Sequence, residues 1–578
     1  MMSHVDSPRS GRWLAALTLF TFFFLLGSRS LNEPDEGRYA EIAREMVELG
    51  DWLVPHLWYE PHVEKPPMTY WTVAASMLVF GRNEWAVRLP LALAGISGVW
   101  ASYLLGRALG GRRVGLWSAL ILQSSLLYFV MARMLTTDIL LTQFIAWAVY
   151  FHWRSWRTLE DGGREANRTG WREGFFGWHW GGWAMIALGF LTKGPIALGV
   201  PMVALAALVI SSRRDVARIR VLFAGMLGGL LLFGVIVVPW FWLLWERVPA
   251  ASQFMVFGQV IGHALGTTIK NRRGHPLYYF AILGVGFLPW TWLLGWLWRR
   301  AHRQGLIAAQ REAWVMLSAW VLFTFALFSC TRAKLPAYIL PLFPALAVMV
   351  ALRFFGTGQG SDSPQPPVWV WRVCMTSPVI LMAVVPVIAP MIYHVDAPAG
   401  FKVQAVVAVA ALGFLVWRGR ALSRGRCAAL ALVLSLLNLQ LIAVGVPSVE
   451  TDLRGNQTLK PLGLALLRAW RPGVTVVCWG GLPQGLPFYA FPVVSSTNRP
   501  FLGGVAADRL PFEFPGNRER FGRLVLPDEN AMIRLLSGEG RVLVVAVSGS
   551  RAHFLSLLGN TPLSLVARVG QWELFSNR

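Results

Sequence analysis

Charge is scarce in this chain. Of 578 residues only 14% are Asp, Glu, Lys or Arg, where a soluble globular protein carries roughly a quarter. Acidic residues are the scarcer kind, 30 against 53 Lys and Arg. Cysteine is nearly missing: Cys330, Cys374, Cys427 and Cys478 are the whole set. No metal-type spacing joins them, so neither a disulfide framework nor a cysteine centre is expected. Strict alternation of apolar and polar residues is also missing, which argues against a membrane β-barrel. A basic face on a soluble module is not visible either, and that argues against nucleic-acid binding.

What is present is hydrophobic, 55% of the chain. The apolar residues run in blocks of about 18–25, the length a helix needs to cross ~30 Å of hydrocarbon. The fold class expected is therefore an α-helical polytopic membrane protein. Thirteen spans are predicted, near 13–31, 86–106, 114–131, 138–153, 178–193, 195–211, 221–245, 280–298, 313–330, 338–354, 373–393, 402–417 and 427–447. The first follows Arg9 and Arg12 without a small-residue cleavage site and reads as a retained helix.

The net charge of +23 is concentrated between alternate spans, at Arg112–Arg113, Arg154 to Arg172, Arg213–Arg220, Arg299–Arg303 and Arg418–Arg426. Positive loops mark the cytoplasmic side. Thirteen crossings from an inside N-terminus then put the C-terminus outside. Residues 1–448 form the membrane domain, with outside loops at about 31–85 and 246–279. Residues 449–578 regain charge and show short β-like runs, Val474–Trp479, Val542–Val547 and Leu565–Val569. Helical stretches are predicted at Leu459–Trp470 and Asn530–Ser537, the latter capped by Asp528. This is a small outside α/β domain in which no catalytic motif is visible.

The candidate chemistry gathers in the outside loops. The first opens Asn32-Glu33-Pro34-Asp35-Glu36-Gly37-Arg38-Tyr39. Asp35 and Glu36 are candidate reacting carboxylates, or simply acids at the positive end of a helix. That helix, Asp35–Leu49, sets Tyr39, Ile42, Ala43, Met46 and Val47 on one face and charges on the other. Met68–Phe80 is too short to span and is placed at the membrane interface. Lys65, in His62-Val63-Glu64-Lys65-Pro66-Pro67, is a phosphate-binding cation or a snorkelling lysine. Arg133 and Asp138 at the span boundary are functional candidates or a local ion pair, and Lys193 is a candidate or an interfacial anchor. Two basic clusters break the positive-inside trend: Lys270-Asn271-Arg272-Arg273-Gly274-His275 and Thr331-Arg332-Ala333-Lys334, the latter followed by Tyr338. Cations placed where topology disfavours them point to an anionic ligand such as a phosphate.

At these residues the chain resembles the aminoarabinose transferases of lipid A, membrane glycosyltransferases of the C-type fold related to protein O-mannosyltransferases. The matching pieces include Pro34-Asp35-Glu36-x-Arg38-Tyr39, Gly50-Asp51-Trp52, Glu64-Lys65-Pro66, Leu191-Thr192-Lys193-Gly194, Arg273-Gly274-His275-Pro276 and Lys334-Leu335-Pro336-x-Tyr338. They run in family order over about the first 340 residues. The resemblance implies transfer of 4-amino-4-deoxy-L-arabinose from undecaprenyl phosphate to a lipid A phosphate, with inversion and without a nucleotide. It implies a multi-pass protein of the bacterial inner membrane acting on the periplasmic side, among membrane lipids, as a monomer, and resistance to polymyxin and other cationic peptides. The residues expected at the reaction are Asp35, Asp138 and Glu36. Donor phosphate is expected on Lys65, Arg38, Arg272, Arg273, Lys334 and Tyr338. A divalent cation, zinc or magnesium, is expected at Glu64 and His263. The competing expectations are a protein O-mannosyltransferase, whose hydroxyl acceptor needs a base, and a lipid or sugar flippase, which would carry ionisable groups near mid-membrane.

Overall fold

The structure is a computed structural model that describes residues 9–164, 171–211, 216–249, 251, 254–255, 274–297, 308–356, 365–393, 399–418, 421–452, 458–492, 494, 501–503, 529–558 and 563–578. In chain order the helical part comprises α1 (Arg9–Phe23), α2 (Asp35–Leu49), α3 (Met68–Phe80), α4 (Glu84–Gln123), α5 (Leu126–Met131), α6 (Asp138–Arg164), α7 (Trp171–Lys193), α8 (Ile196–Ser211) and α9 (Val216–Arg247). It continues with α10 (Tyr278–Gly286), α11 (Thr291–Leu297), α12 (Ala308–Cys330), α13 (Phe343–Phe355), α14 (Val368–Tyr393), α15 (Ala399–Arg418) and α16 (Arg424–Asp452). A 3-10 turn over Pro336–Leu342 leads into α13.

The thirteen predicted spans fall mainly on helix, with departures: α1 ends at Phe23 rather than near 31, the third span is interrupted at Ser124 and Ser125 before α5, and the tenth begins in the 3-10 turn. The second and third spans run together in α4, broken where Gly110 and Gly111 leave helical geometry. The span expected at 280–298 is not straight: α10 and α11 meet at 114°. Pro289 lies in the break, where a residue without an N–H cannot continue the ladder. Among the described residues, five helices are long and apolar enough to cross a membrane singly. The bundle is tied by buried aromatics whose polar atoms are satisfied: Trp290 Nε1 donates to Ser124 Oγ at 2.9 Å and Trp320 Nε1 to the Pro341 carbonyl at 2.9 Å.

Between α1 and α4 the first loop folds into α2, a hairpin and α3. The hairpin pairs β1 (His56–Leu57) with β2 (Glu60–Pro61). Its two turn residues, Trp58 and Tyr59, both take left-handed backbone, φ 56° and 63°. That geometry suits a tight hairpin but strains side chains with a Cβ.

The C-terminal part is α/β, as expected. It holds α17 (Lys460–Ala469), α18 (Leu486–Ala490), α19 (Glu529–Ser537) and α20 (Arg551–Leu558). Five strands form one sheet in the order β4-β3-β5-β7-β6: β3 (Thr475–Trp479), β4 (Phe501–Gly503), β5 (Val542–Val547), β6 (Ser564–Val569) and β7 (Trp572–Ser576). β3 runs parallel to β4 and β5, and β7 antiparallel to β5 and β6. Strands β4 and β7 were not anticipated from the sequence. The predicted cap Asp528 lies outside the described residues. The helix α16 continues to Asp452, slightly past the boundary expected at residue 449.

Candidate active site

The sequence of α2 explains how the site begins. Pro34 precedes the helix and supplies no side-chain cap. Asp35 and Glu36 occupy the first turn, where acids complement the exposed amides. The two carboxylates then diverge. Asp35 keeps 43% of its side chain exposed and makes one ion pair, 2.8 Å to Arg38. Glu36 is fully buried: Arg88 holds both of its oxygens at 3.0 Å, Arg29 approaches to 2.7 Å, and the amides of Leu135 and Asn32 donate at 3.0 Å. Against the cost of burial, Arg29, Arg88 and the Leu135 amide hold its carboxyl well below the usual range. Glu36, expected at the reaction, is thus enclosed in an ion cluster joining the segment after α1, α2, α4 and the turn before α6.

The charged face of α2 is enclosed as well. On its charged side Glu41, Arg44 and Glu45 are buried. The hairpin covers them. Arg44 reaches Glu41 and Glu48 at 2.6 Å each, the Tyr59 hydroxyl donates to Glu48 at 2.7 Å, and the Tyr59 amide donates to Glu45 at 2.7 Å. These bonds hold the strained turn in place. With Tyr39, Ile42, Ala43 and Met46 buried on the other side, α2 is clamped all round.

Around Asp35 and Arg38 four further elements bring in charge. Arg38 stands 3.6 Å from Glu64, and Glu64 lies 3.6 Å from His62. Although burial opposes it, His62, Arg38 and Lys65 hold the Glu64 carboxyl well below its ordinary range. Lys65 donates to the Glu64 carbonyl at 3.4 Å. Burial pushes its ammonium down to about 8; Glu64 and Asp138 oppose that, and Lys193 and Arg38 add to it. Asp138, in the first turn of α6, is buried and bonds Lys193 at the end of α7. The Lys193 Nζ lies 4.4 Å above the Tyr338 ring. Residues of α2, the 62–65 segment, α6, α7 and the 3-10 turn therefore meet at one end of the bundle. Asp35, Arg38, Glu64, Lys65, Asp138 and Tyr338, chosen from separated stretches, share that place.

Two other expected groups turn their charge to backbone carbonyls. The local Arg133–Asp138 pair does not form: Arg133 donates instead to the carbonyls of Phe22 and Phe24 at 3.0 and 2.6 Å, closing the end of α1. Lys334 turns its ammonium to the carbonyls of Phe328 and Ser329 at 2.7 Å each, capping α12. Its stem packs on Gly274, where a Cβ would stand 2.5 Å from Lys334 Cγ. Arg272, Arg273 and His263 lie outside the described residues. Among the described residues no group of three His, Cys, Asp or Glu side chains could hold a metal ion. Glu64, half of the expected cation pair, faces Arg38 and His62.

Sequence reasoning missed Arg29 and Arg88 as partners, and treated Lys193 as an anchor as readily as a site residue. Arg88 was findable, because an arginine just inside an apolar run demands a partner.

A family profile described as dolichyl-phosphate-mannose-protein mannosyltransferase matches residues 64–242. A protein of Edwardsiella ictaluri named undecaprenyl phosphate-alpha-4-amino-4-deoxy-L-arabinose arabinosyl transferase is 30% identical over 349 residues, 59% of this chain and 58% of that one. Its namesake from Aeromonas hydrophila is 32% identical over 348 residues, 59% of each chain. The chain thus spans about three-fifths of the length of the curated relatives it matches. The crystal structure of ArnT from Cupriavidus metallidurans bound to undecaprenyl phosphate superposes with a TM-score of 0.76 over 99% of both chains at 23% identity. The same protein in the apo state gives 0.75 at 24% identity. Over nearly its whole length this chain has the fold of ArnT from Cupriavidus metallidurans, and over three-fifths of it the sequence is similar to proteins named undecaprenyl phosphate-alpha-4-amino-4-deoxy-L-arabinose arabinosyl transferase.

Proposed function

We propose that the chain transfers 4-amino-4-deoxy-L-arabinose from undecaprenyl phosphate to a phosphate of lipid A, at the periplasmic face of the bacterial inner membrane. The observation that carries this reading is the meeting of Arg38, Lys65 and Lys193 with Asp35, Asp138 and Tyr338 at one end of a helical bundle. Three cations, each held beside one of three carboxylates (Asp35, Glu64 and Asp138), suit a reaction in which one phosphate leaves and another attacks.

In this reading an oxygen of the acceptor phosphate attacks the anomeric carbon. The bond from that carbon to the donor phosphate breaks, and undecaprenyl phosphate leaves with the electron pair. One displacement inverts the centre. Lys65, Arg38 and the Tyr338 hydroxyl neutralise charge gathering on the leaving phosphate. The acceptor phosphate is largely ionised near neutrality, so no strong base is required. Asp138, tied to Lys193, fixes that ammonium beside Tyr338. Asp35, the most open of these carboxylates, faces incoming ligands and orients the acceptor or the donor's ammonium. Glu64 and His263 are the residues that would hold a divalent cation, in competition with Arg38 at 3.6 Å from the Glu64 carboxylate. Adding an ammonium-bearing sugar to a phosphate lowers negative surface charge, which fits resistance to cationic peptides.

The match to the mannosyltransferase profile over residues 64–242 favours one second reading, transfer to a protein hydroxyl. There Asp35 would have to take a proton. The test is transfer by the purified protein in detergent, with undecaprenyl-phosphate aminoarabinose as donor and either lipid A or a serine-rich peptide as acceptor. Sugar on lipid A alone supports the proposal, and sugar on the peptide alone overturns it.

A further inference from the structure

The C-terminal domain meets the site-bearing loop at one very close point. Gly37 sits in α2 between Asp35 and Arg38. A Cβ on Gly37 would stand 1.9 Å from Glu33 Oε1 and 3.0 Å from the Cα of Gly485; one on Gly485 would stand 2.1 Å from the same oxygen and 2.7 Å from the Cα of Gly37. Neither backbone has room for a side chain. The Glu33 carboxyl fills the remaining gap. Its Oε2 accepts from the Gly485 amide at 3.3 Å, and its Oε1 is buried without a hydrogen-bond partner.

The rim of this contact is polar and specific. The Leu31 amide donates to the Tyr489 hydroxyl at 2.8 Å, and Lys460 pairs with Glu84 at 2.6 Å. Arg44 and Arg82 lie 5.1 and 4.9 Å from the Phe491 ring. A charged carboxylate with a bare buried oxygen would be costly there, whereas a neutral acid is tolerable. Burial does push the Glu33 carboxyl up to about 8; the Gly485 amide and Arg38 oppose this, and Glu41 and Asp35 add to it.

We propose that Glu33, wedged between Gly37 and Gly485, is a positioning residue that locks the C-terminal domain onto the start of α2 and so sets Asp35 and Arg38 for a lipid phosphate. The domain is then a working part of the site. This rests on the transferase reading for its kinetic consequence, but not for the joint itself.

The experiment compares Glu33→Gln, Glu33→Ala and Gly485→Ala in the full chain in detergent. Hydrogen exchange over residues 35–49 reports the joint, and kcat and KM for the donor report the chemistry. Glu33→Gln keeps the size and neutrality of the acid and should stay within about threefold of the parent on every readout. Glu33→Ala and Gly485→Ala should speed exchange in α2 and lower kcat by about tenfold or more, the scale of a small misplacement of reacting groups. If Gly485→Ala does not fold, the Glu33→Gln and Glu33→Ala pair decides. Unchanged exchange and turnover in both alanine variants overturns the proposal, as does Glu33→Gln behaving like Glu33→Ala. Faster exchange in the alanine variants of a protein that transfers no sugar would leave the joint standing and reject the transferase reading instead.

Discussion

Two adjacent carboxylates show how little spacing says about role. Asp35 and Glu36 share one helical turn, yet one is open and the other sealed against two arginines. Asp35→Asn should abolish most transfer while costing the fold little, because its partly exposed pair with Arg38 is worth about 1 kcal/mol or less. Glu36→Gln should instead lower thermal stability in detergent, since breaking a buried pair costs about 3–5 kcal/mol. A stable Glu36→Gln protein with lost activity would reverse those assignments. Lys65 makes a second contrast. A charge-assisted contact to phosphate is worth about 1.5–3 kcal/mol, so Lys65→Ala should weaken undecaprenyl-phosphate binding and transfer about tenfold or more. Tyr338→Phe, which keeps the ring under Lys193 and removes only the hydroxyl, should weaken transfer. The Lys65 ammonium is charged below about 8 and neutral above it. Donor affinity should therefore fall as pH rises through about 8. Lys65→Arg should flatten that fall, because a guanidinium stays charged. A pH-independent affinity in the parent protein would remove Lys65 from the phosphate site. The lysine's place near a phosphate was legible from its sequence company. Its lowered pKa was not, because it comes from burial by the folded chain and from the cations Lys193 of α7 and Arg38 of α2.

Among the elements, legibility followed the physics of each. Long apolar runs bounded by arginines gave the membrane helices, because hydrocarbon thickness dictates their length. The bend between α10 and α11 was hidden, since Pro289 is tolerated in many membrane helices and only packing decides whether it breaks one. Strands β4 and β7 were missed because β4 has three residues and β7 mixes Glu573 into an otherwise apolar run. The amphipathic reading of α2 had the right apolar face and did not foresee that the charged one is buried too. Burial of Glu41, Arg44 and Glu45 needs the hairpin, which lies about a dozen residues further along the chain. That hairpin yields a test. Tyr59→Phe deletes the hydroxyl that bonds Glu48 and Arg44 and leaves buried charge less satisfied. It should cost about 1–3 kcal/mol of stability, read as a lower melting temperature. It should also expose the 55–62 segment to protease. No change in either would mean that the turn holds its left-handed backbone without those bonds.

For the whole molecule, the charged candidates gather at one end of the bundle, against the C-terminal domain, rather than near the middle of the helices. That arrangement suits chemistry at a membrane surface and disfavours a flippase, whose substrate path needs polar groups at depth. It also ties topology to function, because the loop, the site and the C-terminal domain must lie on one side. A periplasmic reporter fused after Arg578 should be active, and activity only of a cytoplasmic reporter would turn the site to the wrong face. The family-order motifs of the first 340 residues made the membrane half readable in advance. The contact of Gly37 with Gly485 was not, because it joins residues separated by most of the chain. The most direct measurement of the central claim is mass spectrometry of lipid A from cells lacking this protein, complemented with the parent chain or with Asp35→Asn. The account predicts lipid A carrying added aminoarabinose with the parent chain and almost none with Asp35→Asn at equal membrane abundance. Lipid A identical in all three strains would contradict it.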